Sequence, residues 1–368
     1  MGGAVLCGAV GLSQGWAEFL SLSVMLAVVA GVSLLFTFGR WNYEASIDLE
    51  SRRVHIGDRV LGQVVVHNGD RPSAGTTIHL PVGINAARFR VPRLGAHETF
   101  EQGFSVPTRR RAVITVGPVR SVRGDPLGLF HRSRTWTEPV ELYVHPDTVR
   151  LDSRATGFLK DIEGVTTQKL SSSDVSFHAL RDYVPGDDRR SVHWRTTARV
   201  GRLMVRQFEE TMRSHLLLVL SLQPDDYTDR ADFELAVSAV GSLGRAALQE
   251  EREVSVFTSA GRLDFPSGPG LLDALCRVEL DERARPLRHV VAEASSRVPA
   301  ASVAAIVSGT ATQPTDLRSA QVMLPAEVST FAVRCGRGAS PAHRKTSGLT
   351  VLDVGTLTDL QRGMRTLG

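Results

Sequence analysis

At 368 residues the chain exceeds what one ordinary core fills and suits two soluble domains plus an anchor. Its 42% hydrophobic and 22% charged residues are those of a folded protein and exclude extensive disorder. The 43 Lys and Arg nearly balance 39 Asp and Glu, and no dense basic block tracks a phosphate backbone, so nucleic acid is not an expected partner. Arginine dominates the basic set; the lysines are Lys160, Lys169 and Lys345. Cys7, Cys276 and Cys335 are odd in number, widely separated and free of C-x-x-C spacing, so neither a disulfide framework nor a zinc site is expected.

Residues 19–38 read FLSLSVMLAVVAGVSLLFTF, with no charged residue. Twenty helical residues reach about 30 Å, the thickness of a bilayer's hydrocarbon core. Trp16 precedes the run and Trp41 and Tyr43 follow it, where interfacial aromatics are expected. A cleaved signal peptide would need a basic start and a shorter apolar run. A cell-membrane span is therefore predicted, with the lipid bilayer as a partner. Arg40, Arg52, Arg53 and Arg59 all lie after it, which places the C-terminal bulk in the cytoplasm. Residues 1–15 are also apolar, but 4–12 are too few to cross alone and read as the remnant of a first span.

Residues 44–147 read as a β-sandwich-like domain. Alternating runs at 60–66, 76–80, 100–106 and 112–116 are punctuated by His67-Asn68-Gly69-Asp70, Arg71-Pro72 and Gly117-Pro118. The polar, Ser/Thr-rich stretch 148–176 reads as a linker. Beyond it, buried-strand candidates at 216–222, 254–258, 303–307, 330–333 and 349–354 alternate with helical patterns. Phe233, Ala236, Val237, Val240, Leu243 and Ala247 keep i, i+3, i+4 spacing, 271–278 reads as a short helix and a closing helix starts near Thr356. This order predicts a doubly wound α/β domain over 177–368.

The densest chemistry lies in residues 177–210, FHALRDYVPGDDRRSVHWRTTARVGRLMVRQFEE. Pro185-Gly186 sets a tight turn. Asp187 or Asp188 is placed to cap a short helix running to Thr197 and Ala198, and Gly201 to stop it. Arg181, Asp182, Arg190, Arg195 and Arg199 interleave with Tyr183, His193 and Trp194. Two readings stand side by side: an ion-pair network pinning a loop, or a docking surface. Trp194 reads as a core anchor, and His193 as a packed or hydrogen-bonded helix residue.

The run Arg181-Asp182-Tyr183 through His193-Trp194-Arg195 to Arg199, then Gly201-Arg202-Leu203-Met204-Val205-Arg206, resembles the domain of unknown function 58 family. That resemblance covers nearly the whole chain: anchor, β-rich domain and α/β domain. It implies a von Willebrand factor type A-like second domain and work beside a MoxR-type AAA+ ATPase. The composition suits an actinobacterial member. The family usually begins with two spans, and one complete span is present here. Metal-binding type A domains carry Asp-x-Ser-x-Ser after the first sheet strand, whereas Ser221, Gln223 and Asp225 stand here, so no metal is expected.

No cofactor motif is present. Gly-x-x-x-x-Gly-Lys-Ser/Thr and H-E-x-x-H are both absent, so ATP chemistry would belong to a partner. Gly11-Leu12-Ser13-Gln14-Gly15 has the letters of a nucleophile elbow without its strand-turn-helix setting. Ser191, His193 and Asp187 sit too close in sequence to face one another as a triad. The expectation is a membrane-anchored, non-enzymatic adaptor with residues 181–199 as its contact surface. The alternatives are a passive ligand-binding or adhesion module, and a hydrolase using Asp182, Asp187, Asp188 and His193.

Overall fold

The computed structural model describes residues 2–37, 43–124, 127, 130–151, 175–184, 192–210, 215–346 and 348–367. They divide into two compact units, Met1–Pro146 and Asp147–Gly368.

The first unit opens with helices α1 (Gly2–Gln14) and α2 (Ala17–Thr37). α2 is long and apolar enough to cross a membrane; α1, at 13 residues, is not. Val24, Met25 and Val28 of α2 are exposed, the reverse of a soluble core helix. α1 folds back along α2, with the Ser23 hydroxyl donating to the Ala4 carbonyl at 2.8 Å.

Ten strands follow: β1 (Tyr43–Leu49), β2 (Arg53–His55), β3 (Arg59–Asn68), β4 (Thr76–Val82), β5 (Asn85–Val91), β6 (Thr99–Pro107), β7 (Ala112–Val116), β8 (Arg120–Gly124), β9 (His131–Thr135) and β10 (Val140–His145). One sheet has the order β1-β3-β6 and the other β2-β10-β7-β4-β8-β9, with β5 also paired to β4. Strict alternation explains the packing. Val60, Val64 and Val66 of β3 point inward and meet Ile78 and Leu80 of β4 and Leu142 and Val144 of β10 in one core. Two sheets closing one core make a β-sandwich, and all four expected strands lie within it. At the corner after β3, the buried Asn68 side chain donates to the carbonyls of Arg71 (2.9 Å) and Gly95 (2.5 Å).

In the second unit, β11 (Val175–Asp182) and β12 (Met204–Glu210) form an antiparallel pair, with α3 (Trp194–Val200) between them. The larger sheet contains β13 (His215–Leu220), β14 (Glu253–Thr258), β15 (Gly261–Leu263), β16 (Ala301–Gly309), β17 (Ser329–Cys335), β18 (Ala342–Thr346) and β19 (Leu349–Val354). Its order is β15-β14-β13-β16-β17-β19-β18; β14, β13, β16, β17 and β19 run parallel and the two edge strands antiparallel.

Helices cover both faces. Leu216, Leu218 and Leu220 point to one layer, packed by α4 (Arg230–Gln249), α5 (Gly268–Leu275) and α8 (Leu357–Leu367). Leu217 and Val219 point to the other, packed by α6 (Leu287–Arg297) and α7 (Pro314–Gln321). A continuous apolar strand is thus buried on both sides, each leucine contributing about 1.5–3 kcal/mol. The unit is a doubly wound α/β sheet, as the strand–helix alternation predicts. The expected linker begins differently, however. Val149 N–H donates to Ser242 Oγ (3.1 Å) and Gln361 donates to the Arg150 carbonyl (2.9 Å), so residues 148–151 belong to the α4 and α8 surface. Residues 152–174 lie outside the described set.

Candidate functional site

In a doubly wound sheet, ligands enter at the carboxyl ends of strands where the strand order reverses. Here that crevice lies between β13 and β16. The chain leaving β13 passes through Ser221 and Gln223 into a short 3-10 turn, Pro224–Asp226. Asp226 turns back, and the buried Ser221 hydroxyl donates to its Oδ2. Asp225 faces solvent, and Gln223 sends its amide to the Ala284 carbonyl (3.2 Å). Of the three residues that stand where a type A metal loop would be, only Ser221 faces the crevice, and its partner is Asp226. Sequence spacing misses that pairing because either adjacent aspartate could turn inward.

The facing loop after β16 supplies the buried Ser308 and Thr312. Gly309 is needed there, because a Cβ would collide with the Asp226 carbonyl and the Tyr227 ring. The Ala311 N–H donates to that same carbonyl at 3.2 Å. Tyr227 is fully buried, donates to the Ser221 carbonyl (2.7 Å) and meets Phe233 edge-on at 5.4 Å. Burial raises the Asp226 carboxyl above its ordinary 3.8. The Ser221 hydroxyl pulls it back down; the Thr312 hydroxyl leans the same way without a hydrogen bond of normal geometry. Asp316 and Asp225 push it further up. Burial also raises the Cys335 thiol far above the thiol range, so it is no nucleophile at neutral pH.

Arg334 braces the crevice from β17. Its Nε donates to Asp353 Oδ1 (2.7 Å) on neighbouring β19, and its terminal nitrogen reaches the Thr312 carbonyl (3.3 Å). Among the described residues no three His, Cys, Asp or Glu side chains converge as a metal-binding group. The donors facing the crevice are one carboxylate, already hydrogen-bonded, and neutral hydroxyls. That set falls short of the oxygen-rich octahedron that Mg²⁺ takes.

The second candidate is the segment between β11 and β12. Asp182, at the end of β11, pairs with Arg202 at 3.2 Å, and the Tyr183 N–H donates to the Leu203 carbonyl (2.9 Å). His193 caps α3: its Nδ1 accepts the Thr196 N–H (3.3 Å) and lies 2.8 Å from Thr196 Oγ1. The His193 backbone N–H donates to the Met204 carbonyl (2.8 Å), tying the helix to β12. Gly201 ends the helix at φ 75°, the left-handed value that favours glycine. α3 therefore starts at Trp194 with His193 as its cap. The proposed capping residues Asp187 and Asp188 lie outside the described residues, with Pro185, Gly186 and Arg190 and the side chain of Arg181.

One expectation is overturned. Trp194 is 66% exposed and anchors no core. No α3 residue is buried, and Arg195 and Arg199 are exposed beside it. Val184, Val200 and Leu203 extend the exposed apolar surface. Seven residues held by one cap and one strand cannot sink an indole, and the sequence carries no signal separating buried from displayed tryptophan.

Residues 179–334 match the family described as Protein of unknown function DUF58. The DUF58 match runs from β11 to β17, taking in both candidate sites. Uncharacterized protein YeaD of Bacillus subtilis (strain 168) is 25% identical over 251 residues, 64% of this chain and 60% of that protein. The chain thus spans about three fifths of that relative's length. Among solved structures, a CARDB domain from Pyrococcus furiosus aligns with 29% of this chain and 91% of its own, at 15% identity and a TM-score of 0.22. Spo0M, a sporulation control protein of Bacillus subtilis, aligns with 39% and 60% at 12% identity and a TM-score of 0.20. At these scores nothing about fold or function passes from them to this chain.

Proposed function

We propose that the chain is a membrane-anchored, non-enzymatic adaptor whose β11–α3–β12 segment docks a protein partner. The observation that carries this reading is the display of Trp194 with Arg195 and Arg199 on a short, well-capped helix. Trp and Arg are the side chains most enriched where interfaces gain their energy, and a fixed backbone lowers the entropy lost on docking. A MoxR-type AAA+ ATPase is the partner implied by the resemblance. The strand order β15-β14-β13-β16-β17-β19 with an antiparallel first edge supports the von Willebrand factor type A-like reading of the α/β unit. A cytoplasmic C-terminal bulk is supported by Arg52, Arg53 and Arg59 following α2.

A hydrolase centred on His193 draws less support. One ring nitrogen is engaged as a helix cap, and the Asp182 carboxylate pairs with Arg202. The test is affinity capture of the full chain from detergent-solubilised membranes, comparing wild type with Trp194→Ala and Arg199→Glu. Wild type should enrich an ATPase, and each variant should lose at least tenfold of it, the scale of one interface hot spot. Equal capture by all three proteins would remove the segment from the interface.

A further inference from the structure

Arginine is spread unevenly over the β-sandwich. Strands β5, β4, β8 and β9 are hydrogen-bonded neighbours, and none contains Asp or Glu. They carry Arg88, Arg90, Arg120, Arg132 and Arg134 in a chain whose total charge is nearly balanced. Register puts much of this charge on one face. Ile78 and Leu80 of β4 point into the core, so His79 between them points outward. His79 stands opposite Arg88 on one side and Arg120 on the other, and Arg90 lies opposite Thr77 one pleat away. Edge strand β9 is exposed along its whole length; its pairing with β8 puts Ser133 and Thr135 on the Arg120 side and Arg132 and Arg134 on the opposite side. Among the described residues, none of Arg88, Arg90, Arg120 or Arg132 has a carboxylate partner. Such crowding has a consequence at His79, whose pKa is lowered by burial and then by the Arg88 charge. At the β4–β5 turn the apolar Ile84 is 99% exposed.

We infer that this face, Arg88–His79–Arg120 with Arg90, docks on the anionic phospholipid headgroups of the bilayer entered by α2. Two facts select lipid as the occupant. The patch is cationic with no internal compensation, and lipid phosphates are its charge complement. It is also held near the bilayer: from Thr37 to Tyr43 is six Cα steps, at most about 20 Å of extended chain. α2 in addition comes into contact with β8, the strand that carries Arg120. The inference rests on the reading of α2 as a span, and is independent of which side of the membrane the sandwich occupies. It assigns the sandwich a task separate from the partner surface on α3: holding the domain against the membrane in a set orientation.

The experiment uses the full chain in proteoliposomes of phosphatidylcholine, with or without phosphatidylglycerol, read by backbone hydrogen exchange over residues 85–91. Slower exchange is expected in the anionic vesicles. Each arginine near the surface contributes about fivefold in local affinity, so several acting together should slow exchange at least tenfold. The difference should vanish near 0.5 M NaCl, where charges are screened within about 5 Å. It should also vanish in both R88E/R90E/R120E and the milder R88Q/R90Q/R120Q, with the melting temperature unchanged. Equal exchange in the two lipids overturns the inference. So does protection that needs an added soluble extract in place of anionic lipid, which would make the occupant an acidic protein. Alkaline carbonate extraction separates the span from the patch: release of protein that still shows lipid-dependent protection sinks the span and upholds the patch.

Discussion

Asp226 shows how position sets chemistry for a single side chain. Its carboxylate is drawn out of water by the turn that follows β13, and one well-aimed hydroxyl does not fully compensate. The folded pKa is therefore raised above 3.8. A raised carboxyl binds its proton more tightly in the folded state, so stability falls as pH rises from 3.8 through the folded value and is level above it. Asp226→Asn keeps an acceptor for Ser221 and does not titrate. The variant should be at least as stable as wild type at neutral pH, with the fall above 3.8 removed, as measured by urea unfolding across pH 4 to 7. A clear loss of stability at pH 7 would show that the ionised carboxylate is held favourably and that burial is not the dominant influence on it.

Among the helices, α2 and α3 display apolar surface of different kinds, and α1 shares the first kind through Val5, Leu6 and Leu12. α2 shows it on the faces that α1 leaves open and lacks a polar stripe, which suits lipid there. An arginine at the centre of such a helix costs about 2.5–3.5 kcal/mol of insertion free energy. Val28→Arg should lower the carbonate-resistant membrane fraction, and Val24→Arg with Val28→Arg should abolish it. Full retention of the double variant would rule out α2 as a span. α3 differs in kind: it is short, capped by His193, closed by Gly201 and mixes Trp194 with arginines, a surface suited to a protein.

Taken whole, the molecule closes separate cores. The sandwich core draws on residues from Tyr43 to Val144, and the α/β sheet is sealed on both faces by its own helices. The Arg334–Asp353 pair belongs to the second alone, with Asp353 only 6% exposed and also facing Arg344 at 3.7 Å. Removing one member of a buried pair strands the other charge, at a cost of about 3 kcal/mol. Asp353→Ala should lower the unfolding transition of the α/β unit by about that amount and leave that of the sandwich unmoved, as calorimetry on the full chain would show. A shift of both transitions would mean that the two units unfold as one.

How much of this is legible in the sequence depends on the range of the forces involved. Strands 216–222, 303–307 and 349–354 and the helix through Phe233 and Val240 can be read directly, because burial on two faces or one stripe imposes a local period on residue type. Helix α5 begins three residues before its apolar pattern does, since Ser267 caps a start, Gly268-Pro269-Gly270, that reads as a turn. α6 does carry a helical stripe, Leu287, Val290, Val291 and Ala294, but a short one that starts at a proline boundary without a side-chain cap and is set among polar residues; α7, also without a side-chain cap, buries only Leu317 and Ala320. Edge strands β9 and β18 carry no burial period at all. The sites are less legible than the elements. The density of charge around Trp194 is a property of sequence, but its exposure depends on what the rest of the fold leaves uncovered. The choice of Asp226 over Asp225, the closing of the crevice by Gly309 and the alignment of Arg88, His79 and Arg120 are contacts between residues far apart in sequence or differing only in side-chain direction. Local propensity fixes period and turn chemistry, and strand register decides which side chains meet.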